Sequence, residues 1–251
     1  MTVRSLGKEE REAFAREFKA ARAGALRNAE AFEEHLFVME RLGSFLIRSH
    51  RHLGKYQSDL RALANHSPLA HEVSVEYPEL HLGFDALFEE VRIGRNDAMH
   101  QGAVARHLAR YAQELALIME DALMSDAQTA KQFMVRDPAC AELWHPLSAI
   151  RRTMLLNAFS FLPYRTKTGT WRLVSDSRLV QFLRAPTENR KSRLLMTLDE
   201  AKKEGLHDIK PLQCGLDEPI SKLASKMKDI PCLVISKDRR LLGVITAFDL
   251  L

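Results

Sequence analysis

The second half of this chain is written twice, and that repetition limits its fold more than any other feature. The later copy begins with a helical stretch from Pro219 to Met227, with Ile220, Leu223 and Met227 on one side. A strand (Ile230-Pro231-Cys232-Leu233-Val234-Ile235), a charged turn (Ser236-Lys237-Asp238-Arg239-Arg240) and a returning strand (Leu241-Leu242-Gly243-Val244-Ile245-Thr246) follow. Ala247-Phe248-Asp249-Leu250-Leu251 then opens a further helix, of little more than one turn by Leu251. The earlier copy has the same plan. Gln132 to Val135 leads in, Leu147 to Phe159 is the helix, Phe161 to Arg165 the strand and Thr166 to Thr170 the turn. Trp171 to Ser175 returns, and Asp176-Ser177-Arg178-Leu179 starts the next helix. Pro163 then falls on Pro231, and Ser175 on Thr246. A plan repeated over about 70 residues describes units that stack and share a core.

The ending Gly-Val-Ile-Thr-x-x-Asp-Leu of the later copy resembles a CBS domain. Two such copies resemble a Bateman module spanning residues 126–251, the first at about 128–185 and the second at about 196–251. The resemblance implies tandem β-α-β-β-α units and a regulatory adenine nucleotide: AMP, ADP, ATP or a relative. In that family a Thr or Ser, with an Asp three residues later, holds the ribose hydroxyls and phosphate. Thr246 and Asp249 match both positions. In the earlier copy Ser175 matches, but Arg178 stands where the acid belongs. An arginine cannot accept from a ribose hydroxyl, although it can grip a phosphate. The plainer reading of Thr246 and Asp249 is a helix cap that serves only the fold.

Charge is divided along the same line. Residues 1–125 carry 16 Lys and Arg against 19 Asp and Glu, a net −3; residues 126–251 carry 21 against 14, a net +7. A basic second half suits either a compact anionic ligand or simply a solvated surface, and an acidic first half argues against a broad nucleic-acid surface there.

The first half reads as helical throughout. Ser5 is placed to cap a helix from about Gly7 to Ala23, with Phe14, Phe18, Ala21 and Ala25 as its stripe. A second helix is expected from Ala25 to His50 (Phe32, Leu36, Met39, Leu42, Leu46), and a third from Leu53 to Ala64 (Leu53, Tyr56, Leu60, Leu63). Residues 66–79, with Ser67-Pro68 and Tyr77-Pro78, read as a long loop. Phe84, Leu87, Phe88 and Val91 mark a fourth helix. Leu108, Tyr111, Ala112, Leu115, Ile118 and Met119 mark a fifth, giving an up-and-down bundle over residues 1–125.

Between those last two helices lies Arg95-Asn96-Asp97-Ala98-Met99-His100. An Arg-polar-x-x-x-His segment joining two helices of a small helical domain resembles the HEPN family, many of whose members are metal-independent ribonucleases. Histidine titrates near neutrality and can move the protons of internal transesterification. Arginine offers a permanent charge and a fork of donors to the phosphate. The resemblance implies Arg95, Asn96 and His100 as catalytic residues, with a homodimer supplying the second copy of the motif and RNA as substrate. The common continuation His-x-Tyr is absent, since Gln101 and Gly102 follow His100.

Several classes are excluded by what the chain lacks. No apolar run approaches the roughly 20 residues that cross a bilayer, and Met1-Thr2-Val3-Arg4-Ser5 leads into charged helix rather than a signal peptide. Cys140, Cys214 and Cys232 are widely spaced, which points to a reducing cytoplasm. Eight of ten histidines fall in the first half, yet His50 and His52 point to different helix faces, and neither His35 nor His100 has a ligand set, so no metal is expected. The sequence therefore reads as a helical bundle followed by a CBS pair, a nucleotide-regulated dimeric endoribonuclease. Its rivals are a non-catalytic nucleotide-sensing adaptor that binds RNA or protein, and a CBS pair that only scaffolds a dimer.

Overall fold

The computed structural model describes residues 5–98, 104–184 and 190–251. The chain divides into two compact units, Met1–Ala127 and Gln128–Leu251. The first is built of α1 (Lys8–Arg27), α2 (Glu33–Ile47), α3 (Gln57–Ala64), α4 (Glu72–Glu76), α5 (Phe84–Ala98) and α6 (Val104–Met124).

The apolar stripes read from spacing form its core. Phe18, Leu42, Leu60, Phe88 and Met119 are fully enclosed, with Leu36, Met39, Phe84, Leu87, Val91, Leu108 and Leu115 around them. Burying each such side chain contributes about 1.5–3 kcal/mol, which is why a periodic apolar face predicts a helix so well. α6 packs on both α1 and α5. A Cβ on Gly94 would lie 2.7 Å from Leu108 Cδ1, so this glycine lets α5 and α6 approach closely. Arg22 on α1 donates from Nε and Nη2 to the two Glu120 carboxylate oxygens on α6, at 2.9 and 3.0 Å.

Three expectations need correction here. α1 is capped at Gly7, whose N–H donates to the Glu10 carboxylate at 2.7 Å, and not at Ser5. The helix expected from Ala25 to His50 is broken. Asn28 is extended (φ −144°, ψ 111°), and a 3-10 turn at Ala29–Phe32 leads into α2. The turn ends on the buried Phe32, so the apolar spacing resumes directly after the break and hides it from a periodicity reading. The long loop at 66–79 contains a 3-10 turn, Pro68–Ala70, whose Ser67 hydroxyl accepts from the Leu69 N–H at 3.1 Å, and then α4. Five residues are too few to show a helical period.

The second unit comprises α7 (Ala130–Phe133), β1 (Val135–Arg136), α8 (Leu147–Asn157), β2 (Phe161–Arg165), β3 (Trp171–Ser175) and α9 (Asp176–Arg184). It continues through α10 (Arg190–Leu195), α11 (Leu198–Lys203), β4 (Leu212–Cys214), α12 (Ile220–Ala224), β5 (Cys232–Ile235) and β6 (Leu241–Ile245). Each copy has an antiparallel hairpin, β2–β3 or β5–β6, and its own apolar core.

The segments leading into the two copies exchange their ends. The second copy's sheet has the order β1-β6-β5-β4, so β1, read from sequence as the start of the first copy, pairs with β6 of the second. Further along the same segment, Ala141 bridges in parallel to Tyr164 of β2. The second segment mirrors this: Ile209 bridges antiparallel to Leu173 of β3, while β4 runs parallel to β5. Helix starts are tied across the copies as well, with Ala130 N donating to Glu218 O at 2.9 Å and Leu147 N to Met196 O at 2.8 Å. Neither copy completes its sheet alone. A two-residue strand carries no pattern of its own, so the exchange could not be read from the sequence.

Candidate ligand site

The hairpins allow the two copies to be compared residue by residue. With Ser175 set on Thr246, the registers place Leu162 on Cys232, Tyr164 on Val234, Arg172 on Gly243 and Leu173 on Val244. Pro163 therefore corresponds to Leu233, and Pro231 to Phe161, so the proposed match of the two prolines is wrong by two residues.

In the second copy, β6 delivers Thr246 to the start of a 3-10 turn, Ala247–Leu250. A single Asp249 oxygen, Oδ2, accepts both the Thr246 backbone N–H and the Thr246 hydroxyl, each at 2.8 Å. Thr246 and Asp249 are thus brought together, half-buried, in a capping box that fixes the direction of both side chains. Upstream, Gly243 faces the exchanged strand. A Cβ there would lie 2.8 Å from both Met134 Sδ and the Val135 carbonyl oxygen. Close approach of β1, and not any special backbone angle, is what requires the glycine. Arg136 pairs opposite Gly243 and is exposed.

The first copy is built differently at the matching places. Ser175 is only 1% exposed, and its hydroxyl accepts from the Arg178 backbone N–H at 3.2 Å. The Arg178 side chain turns to solvent and donates to Gln181 Oε1 at 3.2 Å. Ser175 and Arg178 are therefore adjacent, but through the Arg178 backbone rather than its guanidinium.

Where the second copy has Gly243 against Met134, the first has Arg172 against the segment carrying Asp208. Asp208 accepts from the hydroxyl of the fully buried Tyr164 and pairs with Lys202 Nζ at 2.9 Å, while Arg172 Nη1 lies at 4.0 Å. The Lys202 ammonium also sits 4.9 Å from the centre of the Tyr164 ring. Burial, reinforced by the Asp208 charge, holds the Tyr164 phenol protonated far above its ordinary range. Burial opposes ionisation of Asp208, but the Tyr164 and Lys202 hydrogen bonds outweigh it and hold its carboxyl below the usual value. Sequence reading missed this cluster. Its one signal was a tyrosine in an otherwise apolar strand, since a buried phenol must find a partner.

Arg95 and Asn96 fall in the last turn of α5, and His100 lies outside the described residues. Among the described residues no group of three or more His, Cys, Asp or Glu is placed to hold a metal ion, and no helix is long and apolar enough to cross a membrane.

Residues 206–251 match the CBS domain family. A comparison with curated proteins gave no match. Among solved structures the chain is similar to protein MJ1225 from Methanocaldococcus jannaschii, at 20% identity and a TM-score of 0.42. That likeness covers 49% of this chain and 46% of the other, so the chain spans less than half of MJ1225. It is also similar to the CBS domain pair of protein MJ0100, solved with 5′-methylthioadenosine and S-adenosyl-L-methionine (17% identity, TM-score 0.37, 49% of this chain and 95% of that one). A third is CbpB, solved in complex with c-di-AMP (16% identity, TM-score 0.38, 49% and 81%).

Proposed function

We propose that the second unit is a CBS pair that senses an adenine nucleotide through one working site, at Thr246 and Asp249. The observation that carries this reading is the CBS match over 206–251 combined with the capping box that aims both residues. Asp249 spends Oδ2 on Thr246, and its second oxygen is the acceptor for a ribose hydroxyl. The exposed Arg136 opposite Gly243, together with the net charge of +7 in this half, favours a phosphate-bearing ligand over a neutral nucleoside. In the first copy the Ser175 hydroxyl is spent on its own helix, and Arg178 offers at most a phosphate contact.

The helical unit is the output in this reading: a metal-independent endoribonuclease acting as a homodimer, with Arg95 and His100 at the phosphate and Asn96 orienting them. The exposed side chains of Leu155 and Leu156 on α8, Phe159 just beyond it and Val180 on α9 supply an apolar dimer face. Ligand binding controls cleavage only if one dimer arrangement binds nucleotide better than the other. The net −3 of the helical half favours a second reading, a non-catalytic adaptor that uses this unit to bind a partner. Incubation with mixed RNA and excess chelator separates them. The first requires fragments ending in 2′,3′-cyclic phosphate and a loss of about 10²-fold in His100→Ala. The second requires no cleavage by either protein.

A further inference from the structure

His35 is the most poorly accommodated polar side chain in the helical unit. It lies, 2% exposed, on α2, a helix whose Leu36, Val38, Met39 and Leu42 are also buried. Among the described residues neither ring nitrogen has a hydrogen-bond partner. A buried imidazole left without partners is destabilising, and a buried cation without a counter-charge is more so.

The charged groups around it offer an incoming proton no relief. From α1 the nearby charge is Arg22, which repels a cation. Arg22 is itself paired with both carboxylate oxygens of Glu120 on α6. On α2 itself, Glu33 and Glu34 are exposed. The Phe32 carbonyl, close to the ring but without the geometry of a hydrogen bond, favours the charged form. Burial outweighs it, with Arg22 adding to the effect, and the imidazole is held below its ordinary titration range.

We propose that His35 is an acid-sensitive switch, whose protonation loosens the packing of α2 on α1 and α6. The sign follows from linkage. The unfolded chain takes up a proton near pH 6.5 while the folded unit resists it. Stability is therefore complete above about pH 6.5 and falls as pH drops towards the lower folded value. Over that window the unfolding constant rises by up to about tenfold per pH unit on account of this one residue.

The full chain allows the second unit to be followed separately, because both tryptophans, Trp144 and Trp171, lie in it, and helical signal lost outside that transition reports the first unit. Urea unfolding from pH 7.5 to 5 is read by circular dichroism for the helices and by tryptophan fluorescence for the second unit. The wild-type helical transition should weaken with acid more steeply than in either His35→Leu or His35→Gln, with the fluorescence transition alike in all three. Titration of the His35 ring by NMR in the wild-type chain should show a midpoint below 6.5. Equal pH dependence in the wild type and both variants, or a ring that titrates at or above 6.5, overturns the proposal.

Discussion

Replacing Gly243 by alanine tests whether the exchanged strand truly fixes the second copy. The added methyl would sit 2.8 Å from Met134 Sδ, 2.9 Å from Met134 Cβ and 2.8 Å from the Val135 carbonyl oxygen. The sulfur can rotate away, but the carbonyl belongs to β1 and moves only if that strand separates from β6. Forcing one methyl into a packed contact of this kind costs about 1–3 kcal/mol. For a unit of this size that corresponds to a fall of roughly 4–12 °C in the melting temperature. Thermal unfolding followed by tryptophan fluorescence reads the second unit alone. Gly215→Ala is the control, since a Cβ there meets nothing within 4 Å, and its effect should stay within about 1 kcal/mol of the wild type in either direction. A Gly243→Ala protein that melts with the wild type would refute the close approach and the strand exchange built on it.

Asp208→Ala leaves the buried Tyr164 hydroxyl without its acceptor and Lys202 without its partner, so the second unit should lose about 1–3 kcal/mol in urea unfolding. The same carboxyl titrates below its ordinary value of 3.8, so the charge-dependent part of its contribution should be complete above about pH 4 and disappear as pH falls through the folded value; the gap between wild type and Asp208→Ala should narrow in strong acid. Leu156→Asp, at a site 66% exposed, should leave the monomer's melting unchanged yet raise the dimer dissociation constant at least tenfold in sedimentation.

The physics of each segment decided what could be read from its residues. Long helices such as α5 and α6 announced themselves, because Phe84, Leu87, Phe88 and Val91 repeat over enough turns to define a face. β2 and β3 were bounded correctly from sequence, since the Thr166–Thr170 turn separates two short, largely apolar runs. The break at Asn28 was invisible because buried apolar residues resume at Phe32, directly after it, and the exchange of β1 because pairing partners are a tertiary choice that two residues cannot encode. At the candidate site, Thr246, Asp249 and Ser175 were legible as a pattern. That Ser175 is consumed by its helix depends on which way its hydroxyl turns, and that Asp208 and Tyr164 occupy the matching part of the first copy depends on a contact between residues far apart in the chain.

Calorimetric titration of the full chain with AMP, ADP, ATP, adenosine, S-adenosylmethionine and c-di-AMP, repeated with Asp249→Ala, tests the central claim most directly. The account predicts one site per chain for at least one phosphate-bearing adenine ligand, tighter than adenosine. In Asp249→Ala that affinity should fall by roughly 5- to 150-fold, the range given by about 1–3 kcal/mol for a lost acceptor. Equal affinity in the two proteins, or no binding by the wild type to any member of the panel, would contradict it.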